Sequence, residues 1–284
     1  MIWETLSVMR DLPRLHDITT VLIRYGLGDL AHRLGLITVL ERAGRILRWK
    51  DAGNYSHLES PVRVRRALEE LGPTFVKLGQ LLSTRVDVFP PNWIAEFERL
   101  QNAVPPVAFD KLLPEVEAAL GCSPFDVFQE LQTQAAASAS IAQVHFARLD
   151  DGSPVVLKIR RPGIRAVIEA DLRLLGHIAS LIEVEVPESR RYQPSQIVAQ
   201  LARSLRREMD LAMEARNIER FAANFSGDDA VRVPKVYWQW TSEAMNVQER
   251  IEGIPGNDFA ALDAAGLDRR VLAARGADAV LKMI

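Results

Sequence analysis

The 284-residue chain carries 35 basic and 37 acidic side chains, a formal charge of −2, with 48% hydrophobic and 25% charged residues. That balance fits one or two ordinary globular domains and leaves no net positive field for nucleic-acid binding by counterion release. Cys122, the single cysteine, excludes an internal disulfide and a cysteine-rich zinc site.

Residues 1–50 read as helices broken near Gly26-Leu-Gly28. From Arg33 to Lys50, the residues Leu36, Leu40, Ala43 and Leu47 form one stripe, with Arg42, Arg45 and Arg48 on or beside the opposite face. Five basic residues against the single acid Glu41 make this segment a candidate for an anionic lipid surface, or a solvated helix packed on its own domain. Arginines interrupt every apolar run before the roughly 18 residues of a membrane-spanning helix, so no transmembrane segment is expected.

Ser60-Pro61 opens a helix expected to run to about Val86, another follows Pro90-Pro91, Asp110 can cap one through about Leu120, and Ser123-Pro124 opens a short one through about Leu131. The texture changes at Gln134. An alanine and serine run leads into 141–149, then Asp150-Asp-Gly152, then Pro154 to Ile159, which reads as a β-hairpin about an Asp-Gly turn. Two long helices are expected at 163–184 and 194–224, two short strands at 235–240 and 244–250, and a helix from about Leu267 onward. By motif, the chain divides into 1–131, 132–255 and 256–284.

The five histidines are scattered and give no His-Glu-x-x-His pair, and there is no Gly-x-Ser-x-Gly elbow, so zinc and serine hydrolase chemistry lack their parts. A lysine closing a strand that follows a loop of small residues, here Lys158 in Val155-Val-Leu-Lys158, is the arrangement that holds nucleotide phosphates in protein kinases. Such an ammonium is positioned by a counter-charge. The helix 194–224 offers Glu208, Asp210 and Glu214. On one continuous helix Asp210 and Glu214 share a face, and Glu208 points elsewhere. Glu214 is therefore assigned to Lys158, Asp210 to the nucleotide or its metal, and Glu208 to a different contact. A second group, Lys77-Leu-Gly-Gln80, places Lys77 and Gln80 three apart on one helical face, with Gly79 allowing close approach.

Leu71 to Arg85, containing Lys77-x-Gly-Gln80, resembles the signature of the UbiB/AarF-type atypical kinases, and Ala137-Ser-Ala-Ser-Ile-Ala-Gln-Val-His145 resembles their alanine-rich loop. The likeness continues through Lys158, through Glu208-x-Asp210 with Glu214, and through Val247 to Pro255, which is similar to the hinge behind the adenine. It implies an α+β fold, a protein-kinase-like N-lobe with a small antiparallel sheet and a helical N-terminal extension, and little of the C-lobe. It implies nucleotide contacts at Ala136, Ala137, Ser138, Ala139, Ser140, Lys158, Glu214 and Glu249. It also implies a regulatory set, Lys77, Gln80, Glu208 and Asp210, in which Lys77 meets Glu208.

The implied cofactors are ATP or ADP with Mg²⁺ or Mn²⁺, and the implied role is support of ubiquinone biosynthesis. The implied partners are a lipid or quinone-pathway intermediate, ubiquinone-biosynthesis enzymes and the cytoplasmic surface of a bacterial inner membrane, where the chain would be peripheral. No glycine lies between Gly121 and Gly152, so the phosphate-covering loop cannot be of the glycine-rich type and an altered nucleotide pose is expected. Position 142 is alanine where many family members have glycine, and His145 reads as a packed structural residue.

The family pattern continues into His-x-Asp, His-Pro-Gly-Asn and Asp-x-Gly, none of which occurs here. The chain alone is thus expected to lack substantial turnover and to be a piece of a longer protein, with Arg269–Ile284 presenting an unpartnered apolar face. The rival readings are a non-catalytic, nucleotide-switched lipid-binding or regulatory module, and a purely structural helical protein.

Overall fold

The structure, a computed structural model, describes residues 6–44, 55, 57–100 and 104–283. Helices α1 (Leu6–Arg24), α2 (Gly28–Arg33), α3 (Leu36–Arg42), α4 (Ser60–Leu71), α5 (Pro73–Leu82), α6 (Pro91–Glu98), α7 (Phe109–Leu120) and α8 (Pro124–Val127) come first. Strands β1 (Glu130–Leu131), β2 (Ala137–Ser138), β3 (Ala142–Arg148) and β4 (Pro154–Arg160) follow. Then come α9 (Ile164–Glu185), α10 (Pro194–Met209), α11 (Leu211–Asn224), β5 (Met245–Glu249), α12 (Phe259–Ala264) and α13 (Arg269–Leu281). No described helix is long and apolar enough to cross a membrane.

Contacts group the chain into two compact units that cut across sequence order: 1–105 with 138–141 and 161–209, and 106–137 with 142–160 and 210–284. In the first, helical unit, the core is built from Leu15, Leu36, Leu40, Ile168, Leu174, Leu201 and Leu205, all closed to solvent. Two crossed ion pairs join α1 to α9. Arg14 Nε donates to Asp171 Oδ1 at 2.6 Å, and Arg173 Nε donates to Asp11 Oδ2 at 2.7 Å. Arg14 Nη2 also donates to the Leu71 carbonyl at 2.6 Å, satisfying one of the orphan acceptors at the end of α4. Burial pushes the Asp171 carboxyl up from its ordinary value even though Arg14 works against it.

In the second unit, the sheet runs β1-β3-β4-β5, all neighbours antiparallel, with β2 paired to β3 off this path. The predicted hairpin is β3–β4. Its turn closes through Leu149 N–H to Ser153 O at 3.0 Å, and Gly152 takes φ 81° there, a conformation in which a side chain would be strained. Ala147, Val155, Leu157, Ile159, Met245 and Val247 point to one side and pack against Phe109, Leu112 and Val116 of α7. That face is the core of the unit.

Several expectations change. The helix expected to run from Ser60 to Val86 is divided by Gly72 (φ 98°) and restarts at Pro73, whose ring suits a first helical turn. Asp110 lies inside the first turn of α7, behind Ala108, instead of capping it. The short helix from Pro124 ends at Val127, and Glu130–Leu131 pair with β3 as a strand. The strand expected at 235–240 is a single bridge, Val236 to Gln248, followed by a 3-10 turn at Trp238–Trp240. The stripe assigned to 33–50 is helical in α3 as far as Arg42, and Arg45, Leu47, Arg48 and Lys50 lie outside the described residues. α13 has no apolar face, because Val271, Leu272, Val280 and Leu281 are spread around its circumference and are all exposed.

The largest revision falls on 194–224. This is two helices, α10 and α11, parted at Asp210, which takes extended backbone and accepts a hydrogen bond from Met213 N–H at 3.0 Å as the N-cap of α11. Asp210 thus stands at the end of α11 and not within a continuous helix, and its carboxylate is engaged by its own helix and by Arg216 at 3.2 Å.

Candidate functional site

Cross-strand partners in an antiparallel ladder point to the same face. Opposite the core face, the register sets Val144, Lys158 and Asn246 in one row and Phe146, Val156 and Gln248 in the next. A lysine at this place is reached from α11, which is fixed to the sheet unit by Leu211 N–H donating to Glu243 O at 3.1 Å and by the buried side chains of Leu211, Ala212 and Ala215. One turn into that helix stands Glu214. Lys158 Nζ donates to both its carboxylate oxygens, at 2.8 and 2.6 Å. The side chains remain 33% and 39% exposed, so the ammonium is oriented by its partner and still open to an anion.

Asn246 and Gln248 carried no weight in the sequence reading, yet they complete this face. Asn246 is fully buried, donates only to Gln248 Oε1 at 3.3 Å, and leaves Oδ1 without a partner. The alternation along β5, read from the register of Lys158, would have placed both there. Glu249, assigned to the nucleotide hinge, is engaged by Arg232 and by Lys235 N–H at 3.2 Å. The Arg232 guanidinium, helped by the Lys235 N–H, holds its carboxyl below the ordinary glutamate value. Arg250 stacks its guanidinium 3.9 Å from the centre of the Phe146 ring.

The alanine-rich segment is threaded by main-chain bonds. Gln132 N–H donates to Phe146 O at 2.9 Å and Ala136 N–H to Val144 O at 2.8 Å, and Ala137–Ser138 form β2. Ala139, Ser140 and Ile141 lead from β2 into β3. No residue of this turn takes a left-handed conformation; Gln193 is the one described non-glycine residue with positive φ. This segment, which holds no glycine, is thus built entirely from ordinary backbone.

His145 is buried, as a structural residue should be, and its tautomer follows from its neighbours. The Gln143 side-chain oxygen accepts from Val107 N–H at 2.8 Å, so its amide nitrogen donates to Val107 O and to His145 Nε2, both at 2.9 Å. His145 must then carry its proton on Nδ1 and donate to Gln132 O at 2.9 Å. Burial lowers its pKa, which keeps the ring neutral in this role.

The Lys77 group sits in the helical unit. Lys77 on α5 pairs with Glu208 on α10, and Ser204 Oγ donates to the same Glu208 oxygen at 3.5 Å. Gly79 and Gln80 both address Leu100: a Cβ on Gly79 would stand 2.2 Å from Leu100 Cδ1, and Gln80 Nε2 donates to Leu100 O at 3.2 Å. The glycine is a close-packing residue here, and the glutamine ties the same neighbour by its carbonyl. Glu208 and Glu214 thus belong to different units and different lysines. Among the described residues, no three His, Cys, Asp or Glu side chains gather as a metal site.

Residues 99–284 match the model of the ABC1 atypical kinase-like domain. The chain is 39% identical over 270 residues to "Probable protein kinase UbiB" of Aeromonas hydrophila, covering 95% of this chain and 49% of that protein. It is 40% identical over 268 residues to the protein of the same name from Cronobacter sakazakii, covering 94% and 49%. The chain therefore spans about half the length of the curated relatives it matches. A solved structure titled "The complex structure of Rv3197-erythromycin from Mycobacterium tuberculosis" is similar over 66% of this chain and 47% of that one, at 27% identity and a TM-score of 0.47.

Proposed function

We propose, because the chain belongs to the ABC1 atypical kinase-like family, that its Lys158–Glu214 site binds the phosphates of ATP or ADP and serves an atypical kinase or ATPase. The observation that carries this reading is the two-oxygen grip of Glu214 on Lys158, on a sheet face whose neighbours Val144 and Val156 offer an apolar seat for a base. Two of the three ammonium hydrogens are engaged, and the third is available to a phosphate oxygen. The nucleotide would supply the transferable phosphoryl group. Lys158 would orient it, Glu214 would hold Lys158, and the N–H groups of the Ala136–Ser140 segment would meet the phosphate oxygens. A divalent cation would enter with the phosphates, since the described residues offer no ready carboxylate set for it. For the whole protein we place this chemistry in support of ubiquinone biosynthesis, peripheral to the cytoplasmic face of a bacterial inner membrane.

The test is thermal unfolding with and without Mg·ATP and Mg·ADP. A ligand at 100 times its Kd raises the stability of the folded state by about 2.7 kcal/mol. Lys158→Ala should abolish that gain, and a gain that survives in Lys158→Ala sinks the reading.

A second reading, a nucleotide-switched lipid-binding module, is favoured by a cavity of about 300 Å³ in the helical unit, lined by apolar side chains including Leu78, Leu82, Ile178, Ile182, Ile197 and Val198. Displacement of a fluorescent fatty acid by an isoprenoid alcohol would support it, and an unchanged signal in Ile178→Glu would count against this cavity as the place.

A further inference from the structure

Arg161 follows β4 directly and is half buried, and among the described residues no carboxylate bonds to it. Its side chain is engaged by neutral acceptors. Nε donates to Ala139 O at 2.9 Å, while Nη2 donates to Ser138 Oγ at 2.7 Å, Pro105 O at 2.8 Å and, more weakly, Val104 O at 3.5 Å. Its own main-chain N–H donates to Ile141 O at 2.9 Å. The carbonyls of Ala139 and Ile141 are thus drawn to one residue, the first by its side chain and the second by its main chain, and among the described residues no hydrogen bond takes up the N–H of Ala139 or of Ser140. Burial lowers the pKa of the guanidinium from its ordinary value.

A turn of alanine and serine has no glycine to let the backbone fold onto a phosphate, and its shape must be imposed from outside. A planar fork that holds the carbonyl side and leaves the N–H side open does this. We propose that Arg161 is a positioning residue that sets the phosphate subsite by clamping the Ala139–Ile141 turn from its carbonyl side. The proposal rests on the nucleotide reading above and adds to it the residue that shapes the loop. Lysine cannot replace it, because a single ammonium cannot reach both Ala139 O and the Pro105 and Ser138 oxygens in that fork.

The experiment compares the unaltered full chain with Arg161→Lys, Arg161→Gln and Lys158→Ala. Backbone order parameters of residues 138–141 are read without ligand by NMR relaxation, and affinities are measured for Mg·ATP and for adenosine. Both Arg161 variants should show lower order parameters at 139–141 and bind Mg·ATP about tenfold more weakly, the loss of one charge-assisted contact, with adenosine affinity unchanged. Unchanged order parameters in Arg161→Gln overturn the clamp. Equal losses for adenosine and Mg·ATP reduce Arg161 to a folding residue and also overturn it, as does full recovery of Mg·ATP affinity in Arg161→Lys. If the unaltered chain and Lys158→Ala bind Mg·ATP alike or not at all, the nucleotide reading fails instead, and the order parameters still report on the clamp.

Discussion

The helical unit closes its central charge pair away from water, with Asp171 fully buried and Arg14 20% exposed, whereas the sheet unit leaves Lys158 and Glu214 a third or more exposed. The two pairs use similar chemistry to opposite ends. Withdrawal of charges from water has a desolvation cost that only a complete set of partners offsets, so a buried pair is rigid and expensive to break. An open pair contributes little to folding, which leaves its members free to trade one partner for a ligand. The difference separates a pair locked into the fold from a pair still open to solvent.

The largest expected effect tests the closed side. Asp171→Ala strands the Arg14 guanidinium and should cost the helical unit about 3 kcal/mol, read by denaturant unfolding. A loss below about 1 kcal/mol would mean that solvent reaches the pair as freely as it does Lys158. Next, Gly79→Ala should gain about 1 kcal/mol of helix propensity but lose more to the collision with Leu100, for a net destabilisation of about 1 kcal/mol. Leu100→Ala in the same chain should accommodate the added methyl, and failure to do so would break the packing account.

On the open side, Glu214→Ala should change unliganded stability by no more than about 0.5 kcal/mol while removing the orientation of Lys158. A large loss of stability would erase the contrast between the two units.

The smallest effect is in pH. Glu169 and Asp171 lie two residues apart on α9 and shift in opposite directions: Arg206 holds the Glu169 carboxyl low, while burial pushes Asp171 up. A lowered carboxylate contributes stability that is present above its unfolded pKa and lost as pH falls through the folded value. A raised one contributes stability that is present below its unfolded pKa and lost as pH rises through the folded value. Arg206→Ala should therefore flatten the acid-side loss from Glu169 without touching the contribution of Asp171, as followed by unfolding between pH 3 and 6, roughly the range spanned by carboxylate titration. An unaltered acid limb would show that the exposed Glu169–Arg206 pair does nothing measurable.

The hairpin was legible because its signals are local: alternating apolar residues, an Asp-Gly turn and a lysine at the strand's end. The pairing of Lys158 with Glu214 was reachable too, since a strand lysine needs a counter-charge and the order of the motifs points to the acids at 208–214. Asp210 was misplaced because an aspartate suits a helix interior weakly and an N-cap well, and sequence periodicity runs smoothly across Met209 and Leu211 in either case. Asn246 and Gln248 were overlooked because their meaning depends on register with β4, which is set by pairing and not by composition.

By itself the sequence determined many of the elements and the motifs they carry: the Lys158 strand, the glycine-free loop, the Lys77-x-Gly-Gln80 helix and the resemblance that follows from their order. Periodicity, turn residues and propensity act over a few positions, and one chain displays them fully. Only the tertiary structure decided which groups are free and which are engaged. Arg161 gathers oxygens from 104–105 and 138–139, Arg14 reaches across 157 positions to Asp171, and Asp210 turns inward to its own helix. Hydrogen bonds and ion pairs are fixed by distance in space, and that distance exists only once the chain has folded.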